Sequence, residues 1–322
     1  MRPAVTGVCP VIAAAFHPDG SLDLPGFTRL CEHVLATGVR SVMVFGVATE
    51  NAKLTDPERE AMLAALLGVR GGRPITVVAS VADHATELAV ARARRWAAMG
   101  ADVLNILPSR FLDPPLPEAL AHLRAVLTAV DLPMIIQFLP QAGDGLPLGE
   151  IVDLAEDHPT LVSVKVEQVP AAAAVRFVHE RSGGRLTALV GWGGLEWGEA
   201  VDAGAVGVQP GCSLTELYLD AQEALDRGDR AGFAAQLAPL REPLAGWLRH
   251  VEVLIAAEKD ILRRRGILGS DYCRRPGAQL TAADRAAAAH LSALADAAAV
   301  GAGVASAASV ASAASVALGA GA

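Results

Sequence analysis

A lysine and a glutamate two residues apart are the side chains of this sequence best suited to chemistry. Lys165 and Glu167 lie at the end of the apolar run LVSVKVE, residues 161–167, and Lys165 is one of only three lysines among 27 basic residues. Arginine stays protonated at accessible pH, whereas a buried lysine readily becomes a neutral, nucleophilic amine. A lysine retained inside a strand therefore indicates a nucleophile. A purely structural ion pair with Glu167 is the alternative.

The spacing of these two residues lets them act on one substrate. Residues two apart in a strand face the same side, so Lys165 and Glu167 point the same way. An amine condenses with a ketone to give an iminium, an electron sink that promotes C–C or C–O cleavage. The neighbouring carboxylate can move protons or balance the charge of the amine. The pair predicts carbonyl chemistry through a covalent intermediate.

Eight short apolar runs alternate with amphipathic runs along the chain. The elements that they form must position Lys165 and Glu167. The apolar runs predict strands over residues 8–15, 41–45, 75–79, 103–107, 134–138, 161–166, 186–190 and 206–209. Helices are predicted over residues 24–36, 57–69, 84–99, 116–129, 147–156, 170–181, 195–202 and 213–226. Because the strands show almost no apolar–polar alternation, they fit a parallel sheet that is buried on both faces.

The count of eight units predicts an α/β fold, a (β/α)8 TIM barrel over residues 1–228. Enzymes of this fold place their chemistry at the carboxyl ends of the strands, where Lys165 and Glu167 are expected. A doubly wound sheet is the alternative. It is disfavoured by the even spacing of the units and by the absence of a GxGxxG motif after the first strand.

The chain beyond residue 228 is helical and then becomes low in complexity. Helical periodicity over residues 229–245, 249–265 and 281–296 predicts a C-terminal helical appendage, residues 229–296. Residues 297–322 contain only Ala, Gly, Ser, Val and one Leu. This tail is long enough to span a membrane, but Ala, Gly and Ser contribute little insertion energy. We therefore expect a poorly ordered tail and no membrane contact.

The composition of the chain limits which binding partners and which cellular compartment are expected. The formal net charge of −8 and the lack of a basic run argue against nucleic acid or an anionic membrane as a partner. The four cysteines are scattered, without a CxxC motif or clustered histidines, so neither a zinc site nor a disulfide framework is predicted. The N-terminal residues show no signal-peptide apolar region. We expect a cytoplasmic protein whose partners are small molecules and copies of itself.

Several further motifs occur in a fixed order around Lys165. They are FHPDGSLD (16–23), GVATENAKLTDPER (46–59), GAD (100–102), LPMII (132–136), GAVG (204–207), RGI (265–267) and RRP (274–276). With them the chain, from about Gly7 to Pro276, resembles the family of dihydrodipicolinate synthase and N-acetylneuraminate lyase, the class I Schiff-base lyases. The resemblance implies that Lys165 is the Schiff-base lysine, that no cofactor is needed, and that the protein is a homodimer or homotetramer.

The chain departs from the family's pattern at the substrate site. The fifth strand of the family usually ends in Tyr-Asn-x-Pro, whose tyrosine relays protons, but here QFLP places Gln137 at that position. Ala48 replaces a threonine that helps to hold the substrate carboxylate, and Thr49 stands at the glycine position that follows. The arginine expected shortly after Pro140 is missing. Because glutamine cannot act as an acid or base at neutral pH, proton transfer is expected to pass to Glu167.

Four more residues are candidates for contact with a substrate. Arg110 can supply a positive charge for a carboxylate, or it is an ordinary exposed loop arginine. Gly191 and Trp192 begin the GWGG segment after the seventh strand, which either brings backbone N–H groups to a ligand or forms a tight turn. Trp192 is also a candidate for lining the pocket, and Val208 in the eighth strand is a further candidate lining residue.

These observations predict a lyase that forms an iminium between Lys165 and a pyruvate-like 2-oxo acid and makes or cleaves a C–C bond. Dihydrodipicolinate synthase activity itself is not expected, because the tyrosine and the arginine are missing. Two alternatives stay open. The first is a dehydratase or decarboxylase of the 2-keto-3-deoxy-acid type on the same fold, and the second is a catalytically inactive ligand-binding or scaffold protein.

Overall fold

The computed structural model describes residues 5–108, 113–139 and 146–301. The chain divides into two compact units. The first, here called the barrel unit, comprises Met1–Pro10, Arg40–Gly46 and Pro74–Pro210. The second, here called the helical unit, comprises Val11–Val39, Val47–Arg73 and Gly211–Ala322.

The barrel unit holds a single sheet of eight parallel strands. The strands are β1 (Gly7–Val8), β2 (Ser41–Val44), β3 (Thr76–Val81), β4 (Val103–Ile106), β5 (Met134–Phe138), β6 (Leu161–Val166), β7 (Thr187–Val190) and β8 (Gly207–Val208). Their order in the sheet is β1-β8-β7-β6-β5-β4-β3-β2. The Met43 N–H of β2 donates to the Pro10 carbonyl after β1 at 2.9 Å, so the two edges of the sheet meet. The predicted barrel is confirmed, and the doubly wound alternative is wrong.

Helices alternate with these strands along the chain and then continue alone. They are α1 (Leu24–Ala36), α2 (Asp56–Arg70), α3 (Thr86–Met99), α4 (Leu116–Leu127), α5 (Leu148–Asp153), α6 (Ala171–Arg181), α7 (Trp197–Asp202), α8 (Thr215–Asp226), α9 (Arg230–Trp247), α10 (Val251–Arg264) and α11 (Ala282–Gly301). The helices α3 to α7 belong to the barrel unit, and the other six belong to the helical unit. The predicted C-terminal helical region is confirmed as α9 to α11. The domain boundary at residue 228 stays a prediction.

Local sequence signals explain where several elements begin and end. Thr55 caps α2 through a capping box with Glu58, and Gly100 ends α3 in the left-handed conformation. The first strand, Gly7–Val8, shares only Val8 with the predicted range of residues 8–15, and Pro10, which has no N–H to donate, follows it. The last helix runs to Gly301, five residues past its predicted end at 296.

The interior of the barrel carries several polar side chains. Strand register places Lys165 beside Gln137 and Leu189 on one face of the sheet. The charge of Lys165 reaches Cys9, which follows β1, although β1 and β6 are not neighbours in the sheet. This shared face is therefore the inside of the barrel. Polar groups buried there need partners, so their hydrogen bonds are strongly constrained.

Ion pairs organise the helical unit. Glu216 accepts hydrogen bonds from His33 and from Arg265, and all three side chains are buried. Burial opposes ionisation of Glu216, but the hydrogen bonds from His33 and Arg265 outweigh it and lower the pKa of this carboxyl to about 2. Similarly, the hydrogen bond from Arg274 is the main cause of the lowered pKa of Glu58, also about 2. Of the helices in the described ranges, none has the length and apolar character to cross a membrane.

Candidate active site

Lys165 and Glu167 form a buried ion pair at the carboxyl end of β6. The Lys165 Nζ lies 3.1 Å from the Glu167 Oε1, and only 4% and 8% of the two side chains are exposed. Strand β6 places them together because it is rich in valine, which favours the extended conformation, and because alternate residues share a face. The prediction that the two side chains point the same way agrees with this geometry. Their proposed catalytic roles stay predictions.

A row of hydrogen bonds leads from Glu167 across the neighbouring strands. The Gln137 Nε2 of β5 donates to the Glu167 Oε2 at 2.5 Å. The Asn105 Nδ2 of β4 donates to the Gln137 Oε1 at 3.0 Å and to the Ser80 Oγ of β3 at 3.2 Å. The side chains of Ser80, Asn105 and Gln137 are all buried. Four adjacent strands thus contribute to one polar row, which ends at the carboxylate beside the lysine.

The turn after β7 holds Glu167 from the other side. The backbone N–H of Trp192 donates to the Glu167 Oε1 at 3.2 Å. Trp192 has a φ of 52°, a left-handed conformation that non-glycine residues rarely adopt and that is frequent at functional sites. A Cβ at Gly191 would overlap the carboxylate of Glu167, so the site needs glycine there. The GWGG segment is therefore both a tight turn and a source of a backbone donor, although its ligand is a side chain of the protein.

The carboxylate of Glu167 has two hydrogen-bond donors and one ion-pair partner among the residues that the structure describes. An ionised carboxylate only accepts hydrogen bonds, and here it receives them from Gln137 and Trp192 and forms an ion pair with Lys165. The Nζ–Oε1 separation of 3.1 Å is within the reach required of a general base. The arrangement can therefore take a proton from the ammonium and leave a neutral amine for attack on a carbonyl.

A second polar group lies on the other side of the barrel interior. Burial raises the pKa of the Cys9 thiol, although hydrogen bonds with Ser41 and Gln209 and the charge of Lys165 oppose the shift. A thiol with a raised pKa is a poor nucleophile, so Cys9 does not compete with Lys165. All four cysteines are free thiols. Within the described ranges, no cluster of three or more histidine, cysteine or acidic side chains is arranged to hold a metal ion.

Four more residues are predicted to contact the substrate. Val208 is buried, but its pairing with Val190 and Val8 puts it on the face of the sheet opposite to Lys165. Thr49 belongs to the helical unit, where its hydroxyl donates to the Ile12 carbonyl at 2.7 Å.

Ala48 also belongs to the helical unit, in a short 3-10 turn over Val47–Thr49. Arg110 lies outside the described residues. The substrate-binding roles of Ala48, Thr49 and Arg110 stay predictions.

Sequence reasoning missed Asn105 and Ser80. Each is a polar residue inside an otherwise apolar strand, VLNI for β4 and TVVASV for β3, which is the signal that could have found them. A buried polar side chain in a strand is expected to have a specific partner, because leaving it without one costs free energy. The partner itself could not be named without the register of the strands.

The chain matches known proteins over nearly its whole length. The model of the dihydrodipicolinate synthetase family matches residues 4–294. The chain is 31% identical over 296 residues to 4-hydroxy-tetrahydrodipicolinate synthase of Stenotrophomonas maltophilia, covering 89% of this chain and 95% of that protein.

Two solved structures establish the fold. Dihydrodipicolinate synthase of Rhodopseudomonas palustris has a TM-score of 0.80 at 23% identity, covering 90% of this chain and 98% of that chain. The sialic acid aldolase of Ruminococcus gnavus has a TM-score of 0.81 at 22% identity, covering 92% and 98%. With the family match across both units, the chain is an enzyme of the lyase type and belongs to the dihydrodipicolinate synthetase family.

Proposed function

We propose that the protein is a lyase that forms a Schiff base between the Lys165 Nζ and a 2-oxo acid, without a cofactor, and then makes or cleaves a C–C bond. The observation that supports this proposal most is the buried pair of Lys165 and Glu167, with Nζ and Oε1 3.1 Å apart at the carboxyl end of β6. An amine that is surrounded by protein and is next to a proton acceptor is equipped for covalent catalysis.

The first step consumes the ketone and releases water. Glu167 takes a proton from the Lys165 ammonium at Oε1, and the nitrogen lone pair then attacks the ketone carbon. The C=O π electrons move to oxygen, and one proton passes from the attacking nitrogen to this oxygen to give a neutral carbinolamine. The proton held by Glu167 then goes to the hydroxyl, which leaves as water while the nitrogen lone pair forms the C=N bond of the iminium. The ketone oxygen thus leaves as water, and the amine becomes the electron sink.

The second step uses this electron sink. In the cleavage direction, Glu167 removes the proton of a hydroxyl two carbons from the iminium carbon, and an aldehyde leaves. The electron pair of the broken C–C bond forms an enamine. Protonation of the enamine carbon followed by hydrolysis of the C=N bond returns the amine and a shorter 2-oxo acid. Gln137 carries no titratable proton, so its part is to orient Glu167.

The relatives limit the choice of substrate. One relative is named 4-hydroxy-tetrahydrodipicolinate synthase, and one structural neighbour is a sialic acid aldolase. This chain has Gln137 where the tyrosine of the family pattern is expected and lacks the arginine after residue 140. We therefore propose an aldol-type reaction of a 2-oxo acid other than the synthase reaction.

A second candidate function is dehydration or decarboxylation of a 2-keto-3-deoxy acid through the same iminium. It is favoured by the replacement of the tyrosine hydroxyl by an amide, which leaves one carboxylate, that of Glu167, for acid–base work. Identification of the products by NMR separates it from the aldol reaction. A barrel that binds a ligand without turnover is the third candidate, and the absence of products in the same NMR experiment would indicate it.

The experiment is reductive trapping. The full chain is incubated with pyruvate and borohydride, digested, and analysed by mass spectrometry for a reduced adduct on Lys165. We expect the adduct in the unaltered protein and in the control Lys53→Arg, whose lysine lies in the helical unit and pairs with Glu252 at 2.6 Å. Lys165→Arg keeps the charge but cannot form an iminium, so it should show none. An unaltered protein without an adduct contradicts the proposed function.

We also propose that the protein works as a homodimer or homotetramer in the cytoplasm and that its other partner is the small-molecule substrate. Closed symmetric assemblies are the usual state of soluble oligomers. A net charge of −8 supports the proposal that nucleic acid is not a partner.

A further inference from the structure

We propose that Asn105 is a positioning residue: through Gln137 it reserves one oxygen of Glu167 as a hydrogen-bond acceptor, so that protons enter and leave at the other oxygen. This inference rests on the proposed function for the role of Glu167. Its geometry rests on the polar row from β3 to β6.

The two ends of the Gln137 amide have different partners. Its oxygen accepts from the Asn105 Nδ2 at 3.0 Å, and its nitrogen therefore faces the Glu167 Oε2 at 2.5 Å. An inverted amide would place two acceptors, the Gln137 Oε1 and the Glu167 Oε2, against each other. Only a protonated Glu167 could satisfy that arrangement, because an ionised carboxylate has no hydrogen to donate.

The orientation of Asn105 is set in turn. Its Nδ2 has two hydrogens, and its two acceptors are the Ser80 Oγ at 3.2 Å and the Gln137 Oε1 at 3.0 Å. The Asn105 Oδ1 is buried and has no hydrogen-bond partner among the residues that the structure describes. The nitrogen of Asn105 thus faces Gln137, and its donation to the Gln137 Oε1 stabilises the same orientation of the Gln137 amide that the Glu167 carboxylate requires.

The two oxygens of Glu167 consequently have different tasks. Oε2 is held as an acceptor by Gln137. Oε1 accepts from the backbone N–H of Trp192 at 3.2 Å and lies 3.1 Å from the Lys165 Nζ, the atom that attacks the substrate carbonyl. A proton that Glu167 takes up is directed to Oε1, since a proton on Oε2 would point at the Gln137 NH2 group. Asn105, two strands from Lys165 in the sheet, in this way controls which oxygen carries the proton.

The test separates iminium formation from the proton transfer that follows it. Borohydride trapping with pyruvate measures the first. Exchange of the pyruvate methyl protons in D2O, followed by proton NMR, measures deprotonation of the iminium to the enamine and needs no second substrate. Lys165→Ala gives the background rate of exchange.

Asn105→Asp keeps the shape of the side chain but turns the donor into an acceptor, so the Gln137 amide should invert. We expect trapping to persist and exchange to slow by about 10- to 100-fold, the lower part of what a positioned acid or base is worth. Asn105→Ala, which introduces no charge, should slow exchange less. The matched control is Ser163→Ala. Like Asn105, Ser163 is a buried polar residue of a barrel strand, but its hydroxyl donates to the Thr187 carbonyl and takes no part in the polar row.

A double variant tests whether Asn105 acts through Gln137. In a Gln137→Ala background, Asn105→Asp should produce no further slowing, whereas a general structural effect would lower trapping and exchange together and would persist in that background. Asn105 variants that exchange like Ser163→Ala would overturn the proposal while leaving the Schiff-base function intact. A missing adduct in the unaltered protein contradicts the function itself, and the role of Asn105 falls with it.

Discussion

Two buried lysines, each paired with a glutamate, show how the two units use the same residues differently. In the barrel unit, Lys165 is 4% exposed, and among the described residues Glu167 is the one ion-pair partner of its Nζ. In the helical unit, Lys259 is 1% exposed and contacts Glu50, donates to the Tyr272 carbonyl at 2.9 Å and lies 4.3 Å from the centre of the Phe16 ring.

Glu50 and Glu167 also differ in the number of fixed partners that surround them. Glu50 also accepts from the Lys53 Nζ at 3.2 Å and from the Arg274 backbone N–H at 3.0 Å. Glu50 and Lys259 therefore have their bonds distributed over a fixed set of neighbours, which suits a structural pair. Within the described ranges, the Lys165 Nζ by contrast pairs with Glu167 alone, which leaves N–H donors for a substrate. Burial of a lysine is thus a weak sign of catalysis, and burial with donors left for a substrate is a stronger one.

The largest expected effect is on activity when the barrel lysine is changed. Lys165→Arg should abolish both the borohydride adduct and turnover, because the guanidinium stays protonated and cannot form the iminium. Lys259→Arg should keep the adduct on Lys165. Mass spectrometry of the trapped proteins measures both outcomes. Undiminished turnover in Lys165→Arg would remove the contrast between the two lysines.

A smaller effect is expected when the carboxylate next to Lys165 is neutralised. Glu167→Gln should preserve trapping but slow exchange of the pyruvate methyl protons by about 10²–10⁴-fold, the usual worth of a positioned acid or base. Glu156→Gln is the control, since Glu156 is exposed and pairs with Arg185 on the surface of the barrel unit. Exchange at the normal rate in Glu167→Gln would mean that Glu167 only balances the charge of Lys165.

The helical pair should show its effect in stability. Lys259→Met leaves Glu50 buried with less compensation and should lower the free energy of unfolding by about 3–5 kcal/mol, as for a buried pair that loses one partner. Arg227→Met, in the exposed pair with Glu223, should change it little. Urea unfolding followed by circular dichroism measures both. If Lys259→Met is as stable as Arg227→Met, the helical pair is not a structural element.

The ion pairs of the helical unit also predict a loss of stability in acid. The pKa of Glu216 is about 2 in the folded protein and near 4.5 in the unfolded chain. Its contribution, about 3 kcal/mol, is therefore fully present above about pH 4.5 and is lost as the pH falls towards 2. Urea unfolding between pH 7 and pH 2.5 should show this loss. Glu216→Gln should reduce that pH dependence and leave the part that comes from Glu58, and an unchanged slope would contradict the assignment.

The smallest effect is expected at the C-terminus. Removal of residues 302–322 should leave the melting temperature and the oligomeric mass nearly unchanged, because Ala, Gly and Ser bring little apolar area to bury. Differential scanning calorimetry and light scattering measure these quantities. A monomeric mass of the full chain at micromolar concentration would contradict the proposed homodimer or homotetramer.

Most of the fold could be predicted from the sequence because its signals are local. The apolar runs without alternation marked all eight strands, and capping residues such as Thr55 and Gly100 marked the limits of helices. The division into two units could not be predicted in this way. Helices α1 and α2 follow the first two strands along the chain, but they belong with the C-terminal helices, and this grouping depends on contacts between residues far apart in sequence.

For the site, the sequence by itself determined that Lys165 and Glu167 point the same way, since the alternation of side chains along a strand is a property of the backbone. It also determined family membership, through motifs kept in order. Only the tertiary structure decided that Asn105 meets Gln137, 32 residues away, and that Glu50 meets Lys259, 209 residues away. Strand register and packing select the partners of buried polar groups. Because register and packing involve residues far apart in the chain, the sequence alone does not show which residues come within hydrogen-bonding distance of one another.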